Sequence, residues 1–164
     1  MSDHATMTPR RAATRARLLE AAREVIAERG AGGATVEGIA ERAGFTRGAF
    51  YSNYADLDDL IVDVIRDVGE TRIAQVREAA AQFAAHRDSD QLTIDTALQG
   101  GVRDFVHLLQ PPMNEVLLQA ELRLYALRHE AVRAGYVTAV RETMTGVYEI
   151  LDTLFTGLQV QIRA

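Results

Sequence analysis

The side chains whose types and spacing suggest a definite chemistry lie around residues 46–54. Thr46-Arg47-Gly48-Ala49 opens a short predicted helix, Arg47–Asn53, whose first turn is small and polar. A helix that enters the DNA major groove needs that composition at its N-terminal end, because bulky side chains there hold the backbone away from the base edges. Thr46 can donate its hydroxyl to a phosphate, at a helix end that already favours anions. Arg47 carries a planar fork that matches guanine O6 and N7, and the Ala49 methyl suits a thymine methyl. Gly48, like Ala49, lets the helix backbone come close to the bases. Tyr51 and Tyr54 are expected to place phenol hydroxyls on the flank, against phosphate oxygens.

The elements that must hold these residues are also readable. Thr35 is a good N-cap for a helix over Val36–Arg42, with Ile39 and Ala40 facing inward. Ala43-Gly44-Phe45 forms the corner, where glycine permits a positive φ. Two short helices about a three-residue turn are the helix-turn-helix layout. Upstream, Thr8-Pro9 reads as cap and first helical position of a helix reaching Arg29, with Leu18, Leu19, Ala22, Val25 and Ile26 at helical spacing. A disordered tail over about residues 1–8 is expected before it, and Ala31-Gly32-Gly33-Ala34 reads as a flexible connector after Gly30. Downstream, Asp56 caps a long helix carrying Leu57, Leu60, Ile61, Val64, Ile65, Val68, Ile73 and Val76 and reaching Ala85. A polar run over His86–Gln91 precedes a fifth helix at about Leu92–Leu109. Pro111-Pro112 forces a corner. Met113–His129 follows, with Leu117, Ala120, Leu124 and Leu127 on one face, then a last helix over about Ala131–Leu158. No alternation typical of a strand appears, so the fold class is all-α. The expected organisation is a three-helix helix-turn-helix domain over residues 1–55 and a helical regulatory domain over 56–164.

From Arg15 to Leu60 the sequence resembles the tetracycline-repressor (TetR-like) family of transcriptional regulators. The resemblance rests on Leu18-Leu19-x-Ala21-Ala22, then Gly30, then Ala34-Thr35-Val36-x-x-Ile39-Ala40. It continues through Ala43-Gly44-Phe45-Thr46-Arg47-Gly48-Ala49-Phe50-Tyr51-x-x-Tyr54 to Leu60. It implies a sequence-specific DNA-binding regulator, usually a repressor released by a small molecule, that works as a homodimer on a near-palindromic operator. It also implies that Thr35, Thr46, Arg47, Ala49, Tyr51 and Tyr54 lie at or near the DNA, and that Phe50 braces the reading helix from the core. The fourth helix then links the two domains. Two positions depart from the family pattern. Leu57, beside Asp56, Asp58 and Asp59, stands where the family often has a phosphate-binding lysine. A second dimerisation helix is not visible before Ala164, so the regulatory domain is expected to be incomplete at its C-terminal end. Those departures keep open an alternative, a truncated helical interaction protein with little independent DNA binding.

Composition narrows the remaining classes. The 164 residues are 48% hydrophobic and 25% charged, enough apolar surface for a core. There is no cysteine, which excludes disulfides and thiolate metal sites, and the histidines lack ligand spacing. No metal and no cofactor are expected. The net charge of −5 is unevenly spread. Residues 1–47 carry Arg10, Arg11, Arg15, Arg17, Arg23, Arg29, Arg42 and Arg47 against Asp3, Glu20, Glu24, Glu28, Glu37 and Glu41, a small positive excess; the rest of the chain is acidic. Arg10, Arg11, Arg15 and Arg17 form either a solvated helix face or a DNA-contacting arm. No nucleophile elbow, P-loop or dinucleotide fingerprint is present, so an enzyme is not expected. No export signal or membrane-length apolar run occurs, and a cytoplasmic location is expected. In the C-terminal body Phe83, Phe105, Met113, Tyr125 and Tyr148 are candidates for lining an effector pocket, with Tyr136, Met144 and Phe155 behind them. Each of these also suits an ordinary core. His107, His129, Glu121 and Arg123 read as surface or satisfied residues rather than ligand contacts.

Overall fold

The computed structural model describes residues 8–87 and 110–157. The expected helix at 92–109, with Phe105 and His107, lies outside them. The described residues contain six α-helices and no strand: α1 (Pro9–Arg29), α2 (Val36–Arg42), α3 (Arg47–Tyr51), α4 (Leu57–Arg87), α5 (Met113–Arg128) and α6 (Glu130–Gly157).

The helix starts form for the reasons their sequences suggest. Thr8, Thr35 and Thr46 each hold an extended backbone, and each hydroxyl accepts a hydrogen bond from a backbone N–H in the first turn, of Arg11, Gly38 and Ala49 respectively. Pro9 occupies the first turn of α1, where its missing N–H costs nothing. At the start of α4, Asp56 Oδ1 accepts from Asp59 N at 2.8 Å and Asp59 Oδ2 accepts from Ala55 N at 3.1 Å. This reciprocal pair works like a capping box. Gly30 (φ 76°) and Gly44 (φ 73°) take the left-handed conformation at the two corners.

Between them the expected flexible connector is replaced by an ordered 3-10 turn over Ala31–Gly33, with Ala31 and Ala34 buried. Two alanines small enough to tuck beneath α1 convert a glycine-rich linker into a fixed corner. The other boundary differences are small. α3 ends at Tyr51 rather than Asn53, where the chain tightens and Asn53 N donates to Phe50 O, three residues back.

The chain divides into two compact units. One comprises Met1–Arg66 and Met113–Tyr136. Its buried side chains include Leu18, Ala22, Val25 and Ile26 of α1, Ile39 and Ala40 of α2, Phe50 of α3, and Leu60, Ile61 and Val64 of α4. To these are added Leu118, Leu122 and Ala126 of α5, and α5 packs on α1 and on the 3-10 turn. The shared face predicted for Leu117, Ala120, Leu124 and Leu127 exists, but it is the exposed face of α5. The face one residue further round makes the core.

The second unit comprises Asp67–Pro112 and Val137–Ala164. Its described core contains Val68, Val76, Ala79 and Ala80 of α4 with Ala139 of α6. The two helices approach closely at small residues. A Cβ added at Gly69 would overlap Thr143 Oγ1, and one added at Gly146 comes 2.8 Å from Ile73 Cδ1.

Candidate nucleic-acid interface

Residues of α3 alternate sharply between core and solvent. Phe50 is fully buried and stacks edge-on with Tyr51, whose ring is exposed. With Phe50 anchored, the opposite side of the short helix presents Thr46, Arg47 and Gly48 to solvent, with Ala49 half-buried beside them. Thr35, at the head of α2, is also exposed. Both threonine hydroxyls spend their acceptor side on the caps and keep the O–H free to donate.

Arg47 is held on two sides. Its Nη1 lies 2.7 Å from Glu37 Oε1 of α2, and its Nη2 donates to Tyr51 Oη at 3.3 Å. The hydrogen bond to Tyr51 and the charge of Glu37 raise the guanidinium pKa further above its ordinary value. The arginine is charged at every accessible pH.

Tyr54 departs from expectation. It is 1% exposed, and its hydroxyl donates to Asp63 Oδ2 at 2.7 Å. It therefore presents no phenol to a phosphate in this structure. Arg15 caps the arrangement: its guanidinium lies 4.5 Å from the Tyr54 ring centroid and pairs with the same Asp63 oxygen. Arg15 Nη1 also donates to Asn53 O, just beyond α3. The cluster ties α1, the end of α3 and α4 together, and so fixes how α3 is presented. Sequence spacing gave no sign of Asp63, since its partners are nine and forty-eight residues away.

The four N-terminal arginines separate into two kinds. Arg15 is committed to Asp63, and Arg17 lies over the Phe45 ring at 4.8 Å. Arg10 and Arg11 are exposed and border an open groove of about 400 Å³ beside α3. Thr8, Thr14, Phe45, Ala49, Ser52 and Asn53 complete its lining. Asn53 Nδ2 donates to Ala49 O, which leaves its Oδ1 buried without a partner.

The acids that follow α3 have structural uses. Asp56 and Asp59 cap α4, and Asp58 Oδ1 accepts from Tyr125 Oη of α5 at 2.7 Å. Leu57 among them is half-buried, where a lysine would need an exit to solvent. Nearby, Glu121 of α5, which reads from sequence as solvated, accepts from Ala31 N at 3.2 Å. A Cβ at Gly30 would stand 2.9 Å from the same carboxylate. Two polar contacts thus fasten α5, one to the 3-10 turn and one to the first turn of α4. His129 stacks on Tyr125 with ring centroids 3.7 Å apart.

Of the expected effector-pocket residues, Phe105 lies outside the described residues. Met113 and Tyr148 are among the most exposed large apolar side chains, Tyr125 is committed to Asp58, and Phe83 is half-buried on α4. Aromatic residues on helices of this amphipathicity can face outward as readily as inward, and composition does not distinguish the two. Glu115 was missed. It is the one charged residue in the described core, and its Oε1 has no hydrogen-bond partner. Among the described residues no cluster of metal-ligating side chains occurs, and no helix is long and apolar enough to cross a membrane.

A short, anchored α2, a glycine corner and a reading helix with an exposed polar N-terminal face define a helix-turn-helix DNA-binding domain. Residues 18–64 match the model of the bacterial regulatory proteins of the tetR family. A TetR-family transcriptional regulator from Mesorhizobium loti MAFF303099 superposes with a TM-score of 0.71 at 16% identity, over 93% of this chain and 73% of that one. The multidrug binding protein EbrR, crystallised with imidazole, gives a TM-score of 0.54 at 24% identity, over 88% of this chain and 83% of its own. No curated protein matches in sequence. Residues 18–64 are thus similar in sequence to the DNA-binding segment of the tetR-family regulators, and the likeness of fold to these solved structures extends beyond that segment.

Proposed function

We propose that the chain is a non-enzymatic, ligand-responsive repressor that binds a near-palindromic operator as a homodimer. Each subunit inserts Thr46–Tyr51 into one major groove. The observation that carries this reading is the exposed face Thr46, Arg47, Gly48 and Tyr51, held over a buried Phe50. Arg47 reads a guanine edge, Gly48 and Ala49 allow the approach, and Thr35 and Thr46 hold phosphates. Arg10 and Arg11 add sequence-blind phosphate attraction beside α3.

The release mechanism is differential affinity. An effector lowers operator affinity only as far as it prefers the conformation that does not fit the operator. The contacts from Glu121 to Ala31 and from Tyr125 to Asp58 support a route by which a change in the helical body reaches the reading domain. The multidrug binding of EbrR suggests a small organic molecule as effector.

Fluorescence anisotropy tests the reading, with one labelled duplex enriched from a random library by the full chain and one random duplex. The enriched duplex is expected to bind about a thousandfold more tightly, the low end for specific regulators. Arg47→Ala is expected to remove most of that preference, about 1–3 kcal/mol for one bidentate contact in each half-site. Failure of any sequence to enrich, or equal binding of the two duplexes, overturns the repressor reading.

A further inference from the structure

We propose that Glu37 is a specificity-determining residue, which holds the Arg47 guanidinium away from phosphates and thereby makes it a selective reader of bases. The inference rests on α3 being the reading helix. Glu37 Oε1 is 2.7 Å from Arg47 Nη1, while Arg47 Nη2 donates to Tyr51 Oη and the guanidinium lies 5.6 Å from the Tyr51 ring centroid. The side chains of the ion pair are 60% and 57% exposed. A pair so wet contributes little to stability, so folding gives little reason for it. It does lie on the face that meets DNA.

The two kinds of DNA contact respond differently to such a carboxylate. A phosphate is held mainly by charge, from many positions and whatever the sequence. A guanine edge is held by directed hydrogen bonds from a planar fork. Glu37 offsets the charge of Arg47 at the distance of the backbone and so weakens the first contact. It also fixes the plane of the fork, together with Tyr51, and leaves the donors not shared with either partner for a base. Less side-chain freedom is then lost when the base contact forms. Thr35, Thr46 and the exposed Arg10 and Arg11 remain for the backbone. Glu37 also suits the first turn of α2 as an anion near a helix N-terminus, a structural role that leaves the salt dependence of DNA binding untouched.

The test uses the full chain with Glu37→Gln, Arg47→Ala and the double variant, titrated on the enriched and random duplexes over a salt series. Glu37→Gln is expected to bind the random duplex several-fold more tightly. The slope of log K against log salt should steepen by about 0.9 per reading head, one extra phosphate neutralised. The ratio of enriched to random affinity falls by the same several-fold. In the Arg47→Ala background, Glu37→Gln should change neither quantity. An unchanged random-duplex slope in Glu37→Gln, or a slope change that survives Arg47→Ala, overturns the role given to Glu37. The random-duplex arm decides this even where no operator enriches, whereas loss of sequence preference in the wild-type chain counts against the repressor reading alone.

Discussion

Tyr54, Asp63 and Arg15 show how a residue assigned to an interface by its type can serve the scaffold instead. A tyrosine just past a reading helix has the chemistry to donate to phosphate, and the sequence offers nothing to exclude it. Its ring, however, sits between Phe50 and Arg15, and its hydroxyl meets an acid from the second turn of α4. Burial first, and then the hydrogen bond to Asp63, raise the phenol pKa above its ordinary value of 10.0. Tyr125, buried in part and bonded to Asp58, is raised in the same direction. The unfolded chain therefore loses these protons first as the pH rises. The stabilisation is complete below about pH 10 and is lost progressively as the pH climbs toward the higher folded values. Tyr54→Phe removes a hydrogen bond to a charged acceptor while leaving Asp63 its arginine. It should cost about 1–2 kcal/mol at pH 8 and fall less steeply than the wild-type chain between pH 9 and 11. Urea midpoints across that range measure both effects. Parallel curves for the two proteins would show that the Tyr54 proton has no part in alkaline unfolding.

At the scale of elements, what was legible in sequence was whatever is enforced locally. The threonine caps, Pro9, Gly30, Gly44 and the Asp56 cap fix where helices begin and end, and each acts within four residues of itself. The inward positions of α1 and α2 follow from spacing because both helices are strongly one-sided. In α5 two apolar faces compete, Leu117-Leu124-Leu127 and Leu118-Leu122-Ala126, and only packing on α1 decides between them. Glu121 and Asp63 were illegible for a related reason: their partners lie far along the chain, and a lone acid on a helix looks solvated. Close approach of α4 and α6 was equally hidden, although it leaves a clear prediction. Gly69→Ala gains about 1 kcal/mol of helix propensity. The new methyl also overlaps Thr143 Oγ1, which is engaged with Ala139 O, and overpacking of this kind costs about 1–3 kcal/mol. The single substitution should therefore be neutral to destabilising, by up to about 2 kcal/mol. Adding Thr143→Ala removes the obstruction and should recover most of the propensity gain, beyond what the two single changes sum to. Additive thermal midpoints would mean that the helices are less tightly apposed at Gly69 than the structure has them.

As a whole molecule, the proposed repressor has a task that neither the reading helix nor any single contact can perform, which is to engage two half-sites at once. One reading domain with a single short α3 reaches few base pairs, and helix-turn-helix proteins reach operator affinity by pairing half-sites about one turn of DNA apart. The proposed repressor therefore needs a surface for a second copy. On α6, Val137, Val140, Met144 and Tyr148 recur at helical spacing and are 48%, 41%, 64% and 68% exposed. A solvated helix has no use for four large apolar groups on one face, and contiguous exposed apolar surface is typical of interaction sites. If a second copy covers this face, Val140→Glu with Met144→Glu places two charges against the partner's two, in surroundings that cannot solvate them, and disfavours the dimer strongly. Sedimentation equilibrium should show a dimer for the wild-type chain and a monomer for the double variant, with unchanged helix content by circular dichroism. Operator affinity should then drop toward that of the random duplex, because the second half-site no longer binds as an intramolecular event. A double variant that stays dimeric and keeps operator affinity would move the interface off this face of α6, and a wild-type chain that sediments as a monomer while binding its operator tightly would remove the need for a second copy altogether.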